Sequence, residues 1–536
     1  MSRQLVPDFM QNEENFADSN EDISVSIAEN IEEGRSHLPS SLVWAIAIAA
    51  IIFFLSSSLR HALFQSTAFD LGIFDQAIYL LSQNQTPFSS LMEMHILGDH
   101  AAVIYYPLAL LYKIYPDVHW LLLVQAVALS VGAWPSWSLA RLAGLNQVQS
   151  RAIAFIYLLY PVVFNINLFD FHPEVIALPA LLAAILAARL NKIVWFCTAI
   201  LLVLSCKAVL SLTVVAMGFW LFFCEKKQRY GAIALLLGAA WFLIASQKII
   251  PFFSGSEVAG VGRYSYLGKS VLEIIINLIL KPQLVLGKIL SFDTFKYLFL
   301  LTLPVIWLLL PFSGKLRLQY LTALIPALPT LLINILSDLS FQRSLAYQYS
   351  VPIIPFLFLA VIAKEETRNR EEIKGNQEED KANKQHFLTL SNLPQFKNFQ
   401  ISQLWQGIQL PRIMIIWSLL IFLCVGEYKD FYLYLNRLDT WQATREAVAQ
   451  VQPQSSILTD NKLAPHFAHR PIVKLLSQIS PQTNLAEFQY ILLNLRHPWP
   501  DTEKLGATLA NKLKTSPDFK LTYQKNEVLL FKRRAD

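Results

Sequence analysis

Asp70 and Asp75 stand five residues apart in FDLGIFDQAIYLLSQN, Phe69 to Asn84, just beyond the first long apolar run. On one regular helix that spacing points two side chains about 140° apart. Cooperation between them therefore requires Asp70 to lie in the turn ahead of the helix, with Gly72 supplying a bend. Placed so, the pair suits a general base or a ligand for a divalent cation such as Mg or Mn at a membrane face. The structural alternative makes Asp70 a helix cap and Asp75 a partner of the helix dipole.

Other groups able to do chemistry follow in short clusters. Glu93, His95, Asp99 and His100 in MEMHILGDH mix donors that suit a metal or a phosphate-linked sugar, though their spacing matches no specific metal motif. Asp170, His172 and Glu174 in NLFDFHPE fall where one apolar run ends and the next begins, with Pro173 at the helix start. Capping explains Asp170. The neighbouring aromatics give His172 no obvious polar partner, and ionisable groups at membrane depth need a reason to be there. Lys207 is the lone charge within residues 193–224. Near a bilayer centre it costs about 2.5–3.5 kcal/mol, so it marks an interface, contacts an anion, or snorkels. Arg263 with Tyr264 and Tyr266, and Arg343 with Tyr347 and Tyr349, pair cations with rings suited to a phosphate and a sugar, a pattern that aromatic belts also produce.

What must hold these groups is a membrane scaffold. A chain of 536 residues that is 54% hydrophobic and 15% charged is too apolar for a soluble protein. Runs near the roughly 20-residue spanning length fall at 41–59, 118–140, 152–169, 174–190, 193–206, 208–224, 231–250, 296–312, 318–338, 347–363 and 410–427. The expected fold is therefore an all-α polytopic membrane protein of about eleven spans. The segment 193–224 reads either as two short helices or as one broken helix.

Lys and Arg collect at 141–151, 189–192, 225–229, 315–317 and from 364 onward, which makes those connections cytoplasmic if the N-terminus is. The loop 60–117, the DFHPE turn, Lys207, segment 251–295, loop 339–347 and everything from Glu427 then lie outside. Residues 1–40 read as an acidic disordered cytoplasmic tail and 364–408 as a charged cytoplasmic linker, with the last span at 409–427. Helical spacing over Ile73 to Asn84, Ala101 to Tyr115 and Ser270 to Leu290 predicts helices on the membrane surface, the third broken at Lys281-Pro282. Alternating runs within 428–536 predict a small extracytoplasmic α/β domain. The four cysteines lie in or beside apolar runs, so no disulfide framework is indicated, and the net charge of +5 sets orientation rather than nucleic-acid binding.

FDLGIFDQ, LGDHAAVIYYPLALLYKIYP, LLLVQAVALSVGAWPSWSLARL, NLFDFHPE, RYSYLG and TDNKLAPHFAHRP, in that order from about residue 45 to 500, resemble the DUF2079 family of bacterial membrane proteins. That family in turn resembles the GT-C superfamily of integral-membrane glycosyltransferases, which includes protein mannosyltransferases and the lipid A aminoarabinose transferase. The resemblance implies a GT-C-like transmembrane domain over 41–363, a catalytic carboxylate early in its large first outer loop 60–117, and a polyprenyl-phosphate sugar donor at a bacterial inner membrane. Asp75-Gln76 stands where the transferases often carry Asp-Glu, so Gln76 replaces the second acid; Ala208 follows Lys207 where relatives often carry an acid.

The function so implied is transfer of a sugar to a lipid, glycan or protein acceptor. Asp75, assisted by Asp70, is the expected base, and Lys207 with Arg263 or Arg343 would offset the leaving phosphate. His100 and His172 would position donor or acceptor, and Asp99, Glu174, Tyr264 and Tyr347 complete the expected binding residues. A transporter or flippase for a lipid or anionic solute is the alternative. A membrane anchor displaying the C-terminal domain is a third reading.

Overall fold

The computed structural model describes residues 38–255, 259–309, 318–387, 399–480 and 482–534. The acidic tail expected over 1–40 thus lies almost wholly outside the described residues. Among those described, six helices are long and apolar enough to cross a membrane: Ser40–Ala62, His119–Leu142, Gln147–Phe169, Gln228–Ser254, Gln319–Leu336 and Leu410–Leu435. Pro282–Ile289 and Phe292–Trp307, which meet at 49°, make a seventh if they form one bent span. The remaining apolar runs also fold as helix but are shorter, as in Glu174–Arg189, Ile193–Cys206 and Leu210–Phe223.

The two 14-residue helices are a hairpin rather than one broken span. Arg189, at the end of Glu174–Arg189, pairs with Glu225 just past Leu210–Phe223 at 2.9 Å. Lys227 Nζ also reaches Asn191 Oδ1 at 2.8 Å. The chain therefore leaves that end of the bundle and returns to it, with Lys207 at the far tip.

The charged segment expected as a linker instead continues helix Ile354–Phe387, as its Glu, Lys, Arg and Gln content favours. Residues 388–398 of that segment lie outside the described residues.

The loop after Ser40–Ala62 folds as helix Ile73–Ser82, a short antiparallel pair β1 (Phe88–Ser89) and β2 (Met94–His95), a turn at Leu97–His100 and helix Tyr105–Ile114. Ile73–Ser82 was expected on a membrane surface. It is buried on nearly every side, Asp75 and Gln76 included, because the C-terminal domain covers it. Val271–Leu280 and Pro282–Ile289 do expose an apolar face, with Leu272, Ile275, Ile279 and Leu286 uncovered, and they break where Lys281-Pro282 predicts.

The C-terminal domain carries β3 (Ile457–Thr459), β4 (Val473–Leu475), β5 (Tyr490–Asn494), β6 (Phe519–Lys525) and β7 (Val528–Arg533) in the order β4-β3-β5-β7-β6. β3 runs parallel to β4 and β5, and the β6–β7 hairpin joins antiparallel at β5. Alternate residues face opposite sides. Ile457, Tyr490 and Leu492 join the core shared with the helical bundle, whereas Leu458, Ile491 and Leu493 pack under Leu509 and Leu513 of helix Glu503–Thr515. Burial on both faces explains why FQYILLNL is a continuous apolar run.

Candidate functional site

The site is built on the last turn of Ser40–Ala62. Arg60 Nη1 lies 2.6 Å from Asp170 Oδ1, with both side chains buried. The other carboxylate oxygen accepts from Thr67 N at 3.1 Å and lies 2.8 Å from the Thr67 hydroxyl. Asp170 is thereby fully engaged, and it fixes the chain three residues before Asp70. One residue on, Ala68 N donates to Asn461 of the C-terminal domain, at 2.8 Å to its side chain and 2.9 Å to its carbonyl.

Two residues past these anchors the backbone turns at Asp70 itself, where φ is +113° and ψ −81°. The bend expected at Gly72 is not there: Gly72 is ordinary right-handed helix at φ −62° and ψ −40°. A non-glycine residue in Asp70's region carries strain of about 1–3 kcal/mol and persists only where its surroundings hold it. The turn leaves the Asp70 side chain 27% exposed, with Oδ1 3.0 Å from His172 Nε2. His172 Nδ1 lies 3.1 Å from the Asp170 carbonyl. Nδ1 faces a carbonyl, and Nε2 stands at ion-pair distance from a carboxylate without hydrogen-bond alignment, so it is the nearby negative charge that favours the imidazolium. Burial pulls the His172 pKa down, but the carboxylates of Asp70 and Glu174 together outweigh it and the value is raised. Phe169 stacks on the ring at 5.3 Å and holds its plane.

Beside His172, Glu174 Oε1 accepts from Lys207 Nζ at 2.6 Å, while Glu174 Oε2 is buried with no hydrogen-bond partner among the described residues. The hairpin tip at Lys207 docks onto the first loop, Ala208 N donating to the His100 carbonyl at 2.9 Å. His100 Nε2 lies 3.2 Å from Asp99 Oδ2. Gly98 makes this turn fit, since a Cβ there would stand 2.9 Å from the backbone of Phe253 and Ser254. Burial raises the Asp99 carboxyl to about 6, and the charges of Lys207, Asp70, Glu174 and Arg263 all act on it. Arg263 lies over the Tyr349 ring at 5.6 Å. Asp70, Asp99, His100, His172, Glu174, Lys207 and Arg263 thus form one electrostatic cluster, drawn from five separate stretches of chain.

The remaining expected residues stand apart from it. Asp75 is buried behind the loop, its Oδ1 accepting from Tyr112 at 2.6 Å and lying 3.0 Å from His469 Nε2. Gln76 is fully buried and clips the C-terminal domain on, donating to Ser90 Oγ at 2.8 Å and the Arg470 carbonyl at 2.9 Å. Arg343 caps helix Leu328–Leu336 through the Ser337 carbonyl at 2.6 Å. Tyr264 donates to the Ile333 carbonyl at 2.9 Å, and Tyr347 packs edge-on against Phe169 at 4.6 Å, behind His172. Among the described residues no group of three or more His, Cys, Asp or Glu is arranged to hold a metal ion.

Sequence reasoning assigned no part to Arg60, Thr67, Asn461 or His469. Asn461 and His469 lie in TDNKLAPHFAHRP, and the early and late motifs FDLGIFDQ and TDNKLAPHFAHRP prove to be two sides of one contact. That polar pattern far from any apolar run was the available signal.

A family profile described as a predicted membrane protein (DUF2079) matches residues 60–530. No curated protein matches the chain. Among solved structures, ArnT from Cupriavidus metallidurans bound to undecaprenyl phosphate is similar with a TM-score of 0.52 at 12% identity, over 92% of this chain and 98% of that one. The same protein in its apo state gives 0.49 at 13% identity, over 92% and 97%. The first of these likenesses shows that the chain shares the fold of ArnT, here a helical membrane scaffold carrying a small C-terminal α/β domain.

Proposed function

The chain belongs to the DUF2079 family of membrane proteins, and from that premise and the cluster around Asp70 we propose that it transfers a sugar from a polyprenyl-phosphate donor to an acceptor hydroxyl. The observation that carries this reading is the Asp70 carboxylate, partly exposed on a strained turn in the same cluster as Lys207 and Arg263. In the proposed step Asp70 takes the acceptor proton, the acceptor oxygen bonds to the anomeric carbon from the opposite face, and the bond from that carbon to the phosphate oxygen breaks. Configuration at that carbon inverts.

Lys207 and Arg263 offset the charge on the departing phosphate. Two helices of 14 residues rise only about 21 Å, short of the roughly 30 Å hydrocarbon core. The hairpin tip with Lys207 therefore lies low enough to meet a lipid phosphate whose tail stays in the bilayer. His172, 3.0 Å from Asp70 Oδ1, keeps the carboxylate aimed. The cluster and the C-terminal domain share one end of the bundle, and we take that end to be extracytoplasmic in the bacterial inner membrane. Donor tail and membrane lipids pack on the scaffold; the acceptor, a lipid, glycan or protein, meets Asp70 beneath the C-terminal domain.

The test is transfer of radiolabel from polyprenyl-phosphate sugars in membranes holding equal amounts of wild type, Asp70→Asn or Asp75→Asn. Transfer by wild type, lost with Asp70→Asn and retained with Asp75→Asn, supports the reading. Absence of transfer from any donor by wild type refutes it.

A further inference from the structure

Away from the Asp70 cluster, a small recess lies where the C-terminal domain meets the end of Ser40–Ala62, lined in part by Gln65, Arg437, Thr440, Thr444, Lys462 and Asn494. Two cations converge there on one neutral oxygen. Lys462 Nζ is 2.5 Å and Arg437 Nη1 3.4 Å from Gln65 Oε1. Neither forms an ion pair among the described residues, although both are partly buried. Two cations facing an amide oxygen is a set that an anionic oxygen would complete with stronger, charge-assisted hydrogen bonds. Hydroxyls of Thr440 and Thr444 and the Asn494 amide stand in the same wall.

The surroundings point to a lipid as the source of that anion. Trp441 Nε1 donates to the Ala62 carbonyl at 2.9 Å, which fixes the recess at the end of a spanning helix. Leading into it from the last span, Tyr432, Leu433, Leu435 and Leu438 are 70%, 56%, 57% and 43% exposed, an apolar and aromatic strip of the kind that lies at the membrane interface. We propose that Arg437 and Lys462 hold the phosphate of a membrane glycerophospholipid, whose acyl chains run along this strip. The site lies next to the loop that carries Asp70: Gln65 precedes Thr67 by two residues, and Asn461, which anchors Ala68, adjoins Lys462. A bound lipid would brace that loop from behind.

The other charged groups around the recess set a pH dependence. Asp460 lines it too, and burial raises its carboxyl to about 7; burial and the nearby guanidinium of Arg437 lower Lys462 to about 7. As pH falls through 7 the acid loses its charge and the amine gains one, so both changes favour an anion. His497 is held by Asp439 at 2.7 Å, and Arg60 is committed to Asp170.

The experiment titrates the full-length chain in detergent with dihexanoyl phosphatidylglycerol, inorganic phosphate, or dioctanoylglycerol, reading bound mass by native mass spectrometry at pH 6 and pH 8. Wild type is expected to bind the phospholipid, more tightly at pH 6, and Arg437→Gln/Lys462→Gln to bind it roughly tenfold or more weakly. Lys462→Arg keeps the charge and is expected to keep binding. Lys462→Met alone, at a partly exposed position, keeps the comparison available should the double variant fail to fold. Unchanged binding by the charge-removing variants overturns the site. Binding of dioctanoylglycerol or of inorganic phosphate as tight as that of the phospholipid overturns the lipid assignment.

Discussion

His172 Nε2 stands 3.0 Å from Asp70 Oδ1 while its Nδ1 lies 3.1 Å from the Asp170 carbonyl. One imidazole therefore ties an exposed acid to a buried clamp.

That tie has a pH signature. The folded-state pKa of His172 is raised by Asp70 and Glu174 against the opposing effect of burial, so the contact contributes stability that is fully present below the unfolded value of about 6.5. It is lost as pH rises through the folded value, each tenfold gain in proton affinity on folding being worth about 1.4 kcal/mol. His172→Gln is expected to flatten the fall in melting temperature above pH 6.5, measured on the purified chain in detergent. An unchanged slope would mean that the imidazole is neutral in the fold.

Asp70 trades stability for position. At φ +113° the residue suits glycine, so Asp70→Gly is expected to be more stable than Asp70→Ala by about 1–3 kcal/mol, both having lost the His172 contact, while abolishing transfer. Asp70→Asn should lower transfer by roughly 10²–10⁴-fold without that gain. Chemical denaturation beside the radiolabel assay separates the two effects, and an Asp70→Gly chain no more stable than Asp70→Ala would show that the turn is not strained.

Asp75 should give the converse result. Its carboxylate is 2% exposed and bonded to Tyr112 and His469, so Asp75→Asn leaves buried donors poorly matched, at about 1–3 kcal/mol. Melting temperature should drop and transfer per folded molecule hold within about tenfold. A much larger loss of transfer in a chain that stays folded would return the base to Asp75.

Much of this is legible in the chain. The runs SSILTD, RPIVKLL, FQYILLNL and FKLTYQKNEVLLFKR form β3, β4, β5 and the β6–β7 hairpin, because alternation and turn residues are local signals. The gathering of Asp99, His172, Glu174, Lys207 and Arg263 follows from the side to which the basic connections assign their loops. Sequence put Asp75 ahead of Asp70 as the base, and the proposed mechanism reverses that order. Their difference is set by Asn461 and His469, 393 and 394 residues away from the groups they bond. Nor does local sequence reveal that a helix with an amphipathic pattern, Ile73–Ser82, is covered by a domain instead of lipid.

Gln76 tests that domain contact directly. Its amide donates to Ser90 and to the Arg470 carbonyl and accepts from Ser90 N at 3.0 Å. Gln76→Glu makes an adjacent acidic pair with Asp75 but sets an oxygen against the Arg470 carbonyl. The expected outcome is a looser C-terminal domain, destabilised by about 1–3 kcal/mol, with faster hydrogen exchange in β3 and β4 and no gain in transfer. Greater activity with unchanged exchange would make Gln76 a lost catalytic acid instead.

The Arg60–Asp170 clamp offers the cleanest separation of scaffold from chemistry. Removing one member leaves the other charge buried and alone, at about 3–5 kcal/mol, whereas replacing both with neutral groups of similar volume is often close to neutral. Arg60→Met and Asp170→Asn should therefore each destabilise the chain strongly, and the double variant should recover much of the loss. Transfer should not recover with it. The Asp170 carboxylate also accepts from Thr67 N, so that carboxylate, fixed by Arg60, holds the lead-in to the Asp70 turn together with Asn461 on Ala68. A double variant that regains stability but not transfer, by thermal melting and radiolabel assay, places the clamp in the positioning of Asp70; one that regains both would show that the turn is held by Asn461 alone.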